Sequence, residues 1–483
     1  MVTDGIQQPY ERLKVTFAVL ALVVGGALGF AVGQFSNPLY IVVGIIGGGL
    51  FIASIFSIEI GLLVLFFLTY TRFSDIVVHY HNAPSIAKYY IFLMGIVVLI
   101  RWAVFRERPQ GWQRAAVVIG ILGLVRAISL LYASDTKVVS ETLGDFVKDV
   151  FIAFIIIVMM NNGRRLRGVF WALLLAGIFV GTLSVYQYLT SSFGSDFGGF
   201  AQTGYMQYVG EKEGYRIFGP VGDPNFYAQV MVVLVPLALE RLLDERRLLL
   251  RLAAAWALAV SGLTVVFTYS RGGFFALAAA VFAWFVIYRP SVKSIPIFIL
   301  VGIALLFVIP KEYIARIAAL TELISAPSVG FHTQDFSLRG RASETLAGLA
   351  MIRQHPFLGV GLGNYALHYM KYSKSIGLAT SASARAAHDL YLEAAAETGL
   401  IGLAVFLLLL AAAGKDVIES WRKLKEKKRY ELARMTAALA AALVGYFSAA
   451  VFVHSAYPRY FWLLLAMAFS MPNIVKNELE KAH

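Results

Sequence analysis

Long apolar runs recur along the chain, separated by short polar breaks, at 15–33, 39–55, 57–70, 89–105, 114–132, 146–160, 168–190, 225–240, 249–268, 273–288, 294–310, 388–412, 433–454 and 459–474. Runs of roughly 18 or more residues with few charges cross a bilayer as helices, because in lipid every backbone polar group must find its partner within its own segment. The runs are continuous rather than alternating, which excludes a membrane β-barrel. The pattern therefore predicts an all-α polytopic membrane protein. The pair at 39–55 and 57–70 is short with almost no connection, and the last run is short as well, so the expected count is about twelve to fourteen spans.

The polar breaks divide the chain into N-terminal helices (1–190), a loop (191–224), central helices (225–310), a large loop (311–387) before the antepenultimate helix, and C-terminal helices (388–483) holding a basic loop at 413–432. Alternating spans put Arg106, Arg108 and Arg114, then Arg164, Arg165 and Arg167, then Arg241, Arg246, Arg247 and Arg251, then Arg289 and Lys293, and finally Lys415 through Arg429 on one side. The positive-inside rule makes that side the cytoplasm. Both termini are then expected in the cytoplasm, and 71–88, 133–145, 191–224, the turn 269–273, 311–387 and 455–458 outside. Met1 to Lys14 is polar and the run 15–33 is long enough to remain as an anchor, so no cleavable signal peptide is expected.

Composition adds little to this picture. The chain is 59% apolar and 15% charged. A net charge of +13 would point to nucleic acid in a soluble protein. Here most of it lies in short loops, where it sets topology and meets anionic lipid, so the expected partner is membrane lipid and not nucleic acid. The absence of cysteine rules out disulfide and thiol chemistry.

Charge placement matters more than charge total. External loops are poor in basic residues, so a cation there is not a topology signal. Arg271 is the sharpest case, in the turn Tyr269-Ser270-Arg271-Gly272-Gly273 between two apolar runs. Burying an arginine costs on the order of 2.5–3.5 kcal/mol at mid-membrane and less at the interface, so an anion beside it is expected. Snorkelling to headgroups is the alternative. Arg216 precedes the Gly222-Asp223-Pro224-Asn225 turn, where Asp223 or Asn225 is placed to cap the next helix. A helix start together with arginine makes an anion site. Arg339 and Arg341 lead a short helix, 343–353, in the large loop. His388 stands where that loop meets an apolar helix, with Asp389 in the first turn. Such a terminus disfavours imidazolium, so the ring is suited to accept a proton; a polar residue satisfying backbone groups is the other possibility.

The stretch His355-Pro356-Phe357-Leu358-Gly359-Val360-Gly361-Leu362-Gly363-Asn364-Tyr365 is glycine-rich, but no strand precedes it and no βαβ unit surrounds it, so it is not a dinucleotide fingerprint. A flexible loop through which backbone approaches a substrate is expected instead. No D-x-D occurs, and external acids such as Asp75, Asp145 and Asp196 are scattered, so neither a metal nor another cofactor is demanded.

From Arg216 to the last span the sequence resembles the O-antigen ligase and polymerase superfamily, membrane glycosyltransferases of the GT-C type. The resemblance is carried by the turn 269–273, Gly340-Arg341, the block 356–364, and the His388 stretch through Glu397-Thr398-Gly399. It departs at Thr345, where relatives often have tryptophan, and at Phe275, where they have leucine. The resemblance implies a GT-C-like fold and an active site on the periplasmic side of a bacterial inner membrane. His388 and Arg271 take catalytic roles, and Arg216, Arg339 and Arg341 bind the diphosphate. It further implies metal-independent, inverting transfer from an undecaprenyl-diphosphate-linked glycan to a hydroxyl. The acceptor is a lipid A core sugar for a ligase, another lipid-linked glycan for a polymerase, or a protein side chain. An anion transporter is the rival of a different class; it would place functional charges near the midplane and show an internal repeat, and neither is found. A scaffold leaves the cost of Arg271 unexplained.

Overall fold

The computed structural model describes residues 38–209, 212–289, 336–375, 385–453 and 458–481. The runs expected at 15–33 and 294–310 lie outside these residues, as do 311–335 and 376–384 of the large loop.

Helices dominate among the described residues, and seven of them begin where a short polar side chain satisfies the first free N–H groups. In chain order they are α1 (Pro38–Phe56), α2 (Ile58–Tyr70), α3 (Phe73–His81), α4 (Ile86–Ala103), α5 (Gln113–Ile128), α6 (Thr136–Met159) and α7 (Gly163–Leu189). Then come α8 (Pro224–Asp244), α9 (Leu248–Phe267), α10 (Arg271–Tyr288), α11 (Phe336–Gln354), α12 (Tyr365–Ser375), α13 (Leu390–Glu426), α14 (Tyr430–Ala449) and α15 (Pro458–Glu480). Ser57, Ser85, Asp135, Asn162, Asp223, Ser270 and Asp389 cap α2, α4, α6, α7, α8, α10 and α13 through their side chains. Among the described residues 8 helices are long and apolar enough to cross a membrane, or 9 if α2 and α3, bent by 53° about Arg72, form one broken span.

The core is built around α8, 89% of whose apolar window is buried. A helix apolar all round belongs in the interior, and α8 is enclosed by α7, α9, α10 and α14. At its far end, Glu240 and Arg241 are fully buried and paired with each other, Arg167 reaches Glu245 at 2.8 Å, and Arg434 pairs with Asp244. The arginines of that end are thus partly committed to buried acids, which offsets the cost of removing both from water.

Three local features differ from the sequence expectation. The loop 191–224 contains an antiparallel hairpin, β1 (Gln202–Val209) and β2 (Lys212–Gly219), with Tyr205 opposite Tyr215. Side chains alternate along β2, so Tyr215 is exposed while Arg216 turns inward and is buried. The basic loop expected at 413–432 is mostly a continuation of α13, which runs to Glu426 on helix-forming residues supported by pairs such as Lys415–Glu419 (3.7 Å). Asp389 is the cap of α13 rather than part of its first turn; its carboxylate accepts from the N–H groups of Tyr391 (2.9 Å) and Leu392 (3.0 Å).

The glycine block 356–364 is pinned, not flexible. Helix α13 breaks at Gly399 (φ 68°, ψ −176°), and the block docks into the break. Val360 and Gly361 donate to the carbonyls of Ala396 and Glu397, both at 2.9 Å, and Leu400 donates to Pro356 at 2.8 Å. The Asn364 amide closes the other side, accepting from Asp135 N–H (2.9 Å) and donating to its carbonyl (3.2 Å). The fit requires glycine on both strands of the contact. A Cβ on Gly399 would lie 2.1 Å from the Phe357 oxygen, and one on Gly359 2.4 Å from the Glu397 carbonyl carbon. Gly399 also holds backbone angles nearly restricted to glycine, at a cost of about 1–3 kcal/mol for any other residue. Gly399→Ala is therefore expected to lower the thermal melting temperature of the detergent-solubilised protein clearly, whereas Gly414→Ala, in open space on the same helix, leaves it unchanged or raises it slightly.

Candidate functional site

One end of the bundle collects the starts of α8, α10 and α13 and the last turn of α14. Two corners form there. In the first, the Ser270 hydroxyl accepts from Gly273 N–H (3.1 Å) and so begins α10 at Arg271, whose side chain is buried. The glycines after it serve packing: a Cβ on Gly272 would meet Phe452 at 2.5 Å, and one on Gly273 would meet Ala228 at 2.6 Å. Arg216 joins this corner from β2. Its Nε donates to the Thr268 carbonyl (2.7 Å) and its Nη2 to Asn225 Oδ1 (3.4 Å). Asp223 is the cap of α8, accepting from Phe226 N–H at 2.8 Å, so Asn225 is left to face Arg216. Two buried guanidinium groups thus flank one tight turn.

The second corner surrounds His388. Its backbone is left-handed (φ 48°), and its Nδ1 lies 3.0 Å from Glu344 Oε2 and 3.2 Å from the Ala386 carbonyl. Glu344, on α11, is 2% exposed, and its other oxygen pairs with Arg385 at 2.9 Å. Gly340 makes the room: a Cβ there would lie 2.3 Å from Arg385 Nη1. Arg341, half-buried, precedes Glu344 by one helical turn and shares its side of α11. The side chain of Arg339 lies outside the described residues. Burial pushes the Asp389 carboxyl up, against the pull of the two N–H groups it caps.

The last turn of α14 separates the two corners. Phe452, just beyond it, covers Gly272 in the first. Tyr391, in the first turn of α13, donates to the Phe447 carbonyl at 3.0 Å in the second. The structure thus brings Arg216 together with the Arg271 turn, and His388 together with the Arg341 helix, at one end of the same helix.

Glu344, Arg385 and Arg126 were not singled out from sequence. Arg126 borders a cavity of about 330 Å³ on the other side of the α13 start, with Thr142, Asp145, Glu393, Glu397 and Trp462 also in its wall. Its guanidinium carbon sits 5.0 Å from the centre of the Phe146 ring. An arginine deep within the run 114–132, away from Arg114 at its edge, was the available signal, since an ionisable group in a span marks a site by default. Among the described residues, none of Arg216, Arg271 or Arg341 lines that cavity. Nor does any group of three or more His, Asp or Glu among them stand where it would hold a metal ion.

The family model described as O-antigen ligase matches residues 256–407. That stretch is similar to the O-antigen ligase family. The matched segment takes in Arg271, Arg341, Glu344 and His388, the glycine block and the broken start of α13, and leaves out Arg216. No curated protein matches the chain.

Proposed function

We propose that this chain is a glycosyltransferase of the bacterial inner membrane that moves a glycan from an undecaprenyl diphosphate carrier to a hydroxyl on a lipid A core acceptor, at the periplasmic side. The observation that carries the proposal is the gathering of the buried Arg216–Arg271 corner and the His388 corner about the last turn of α14. A diphosphate fits the paired donors of two buried guanidinium groups; charge-assisted bonds of this kind contribute about 1.5–3 kcal/mol each. Arg341, on the helix facing His388, completes the cationic side, and Arg339 is proposed for the same diphosphate from its place in the sequence.

In the reaction His388 takes the proton of the acceptor hydroxyl. The oxygen forms a bond to the anomeric carbon on the face opposite the carrier. The bond from that carbon to the phosphate oxygen breaks, and its electron pair leaves with the diphosphate, whose growing charge the arginines stabilise. Configuration at the carbon inverts. Candidate charges gathered at one end, rather than at mid-helix, favour this reading over an anion transporter.

The test is transfer by protein reconstituted in lipid vesicles with a lipid-diphosphate glycan, supplied in one arm with core lipid and in the other with a second lipid-linked glycan. Product on core lipid is expected; product only on the second carrier would make the chain a polymerase. Because arginines supply the electrostatic stabilisation, turnover is expected to survive chelator. Loss of turnover in chelator, restored by magnesium or manganese, would count against the arginines as sufficient.

A further inference from the structure

Two acceptors face His388 Nδ1 at hydrogen-bond distance: the Glu344 carboxylate at 3.0 Å and the Ala386 carbonyl at 3.2 Å. A backbone carbonyl has no hydrogen to give. Arg385 lies 2.9 Å from the other Glu344 oxygen and forms an ion pair with the carboxylate. The hydrogen between them therefore belongs to Nδ1, and in the neutral ring the lone pair lies on Nε2. We infer that Glu344 is a positioning residue for His388, holding the ring in the Nδ1–H tautomer so that Nε2 is the proton acceptor, and standing ready to stabilise the imidazolium that results. The inference rests on His388 being the base, as proposed above.

The surroundings are built to hold Glu344 still. Helix α11 is fastened to α12 by the Tyr365 hydroxyl, which donates to the Glu344 carbonyl at 2.6 Å, and by Ser343 Oγ, 2.8 Å from the Tyr369 hydroxyl. It closes on α13 where a Cβ on Gly348 would lie 2.9 Å from Leu392. A carboxylate only 2% exposed is costly unless each oxygen is engaged. Arg385 engages one and the imidazole the other. The left-handed backbone at His388, unusual for a residue with a side chain, is a strain of the kind retained where a particular side-chain direction is needed. During transfer the proton passes from the acceptor oxygen to Nε2, Nδ1 keeps its hydrogen, and Glu344 remains ionised throughout.

The test joins kinetics to spectroscopy on the full-length protein in nanodiscs. With ¹⁵N-labelled histidine, and His388 assigned by loss of its signals in His388→Gln, the wild-type ring is expected to show a protonated Nδ1 and a bare Nε2. Glu344→Gln, which keeps size but removes charge and can present its NH₂ face to the ring, is expected to mix the tautomers. It should lower kcat by about 10²-fold or more while donor KM changes by less than about twofold. Glu344→Asp should restore part of kcat, and Glu344→Gln added to His388→Ala should cause no further loss. A wild-type ring protonated at Nε2, or a kcat within about threefold of wild type in Glu344→Gln, would overturn the inference. So would a further loss in the His388→Ala background, which would mean that Glu344 acts through folding. If wild-type protein transfers no glycan at all, the proposed function fails, yet the spectrum still judges the pairing.

Discussion

His388→Ala is expected to remove glycan transfer, with kcat falling by about 10²–10⁴-fold, the usual contribution of a general base. His388 precedes the Asp389 cap, whose carboxylate accepts from Tyr391 and Leu392 N–H, so the start of α13 is held by Asp389 rather than by the imidazole. Elution from size exclusion should therefore stay close to wild type and thermal melting should fall only in part, as one buried Glu344 oxygen loses its partner; donor affinity should be nearly kept, because the diphosphate is assigned to the arginine corner. Single-turnover measurements in vesicles would separate the chemical step from binding. Near-normal turnover in this variant would remove the histidine from the reaction.

Arg271→Ala is expected to be as severe by a different route. The guanidinium is proposed to meet charge that grows on the leaving diphosphate, and deleting one donor of that kind costs about 10²–10³-fold in kcat. Because the carrier already bears charge before reaction, donor KM should rise as well. Arg271→Lys keeps a cation but loses the fork that grips two oxygens, so it is expected to recover only part of the activity. The side chain is buried, so the lysine variant also guards against misfolding as the cause of loss. An alanine variant that folds and turns over normally would defeat the assignment.

The apolar runs made the membrane-crossing helices legible, because a span must satisfy its backbone internally whatever its neighbours do. The turns 223–225 and 269–273 were legible for the same local reason: Asp223 and Ser270 cap helices within three residues of themselves. Contacts between distant segments were not legible. Nothing local to Gly399 announces that Phe357 will lie against it, and the glycines of 356–364 read as looseness although they permit close docking. Nothing in the sequence sets Glu344 apart from other acids; only the fold reveals that it faces His388, 44 positions away. Tyr215 and Arg216 lie in an alternating stretch that reads as loop, since a two-stranded hairpin leaves a weak trace beside long apolar runs.

The docking of 356–364 into the interrupted helix limits how the chain can be re-engineered. Carbonyls of Ala396 and Glu397 find their donors in a segment that hydropathy assigns to a different part of the molecule. A chimera that exchanges the polar region up to residue 387 but keeps the following span would strip those oxygens of partners in the buried interior, and would be expected to fail at assembly before any chemistry is tested. The interchangeable module runs instead from the start of α11 past Leu400, and grafts meant to alter acceptor choice should be cut at those boundaries.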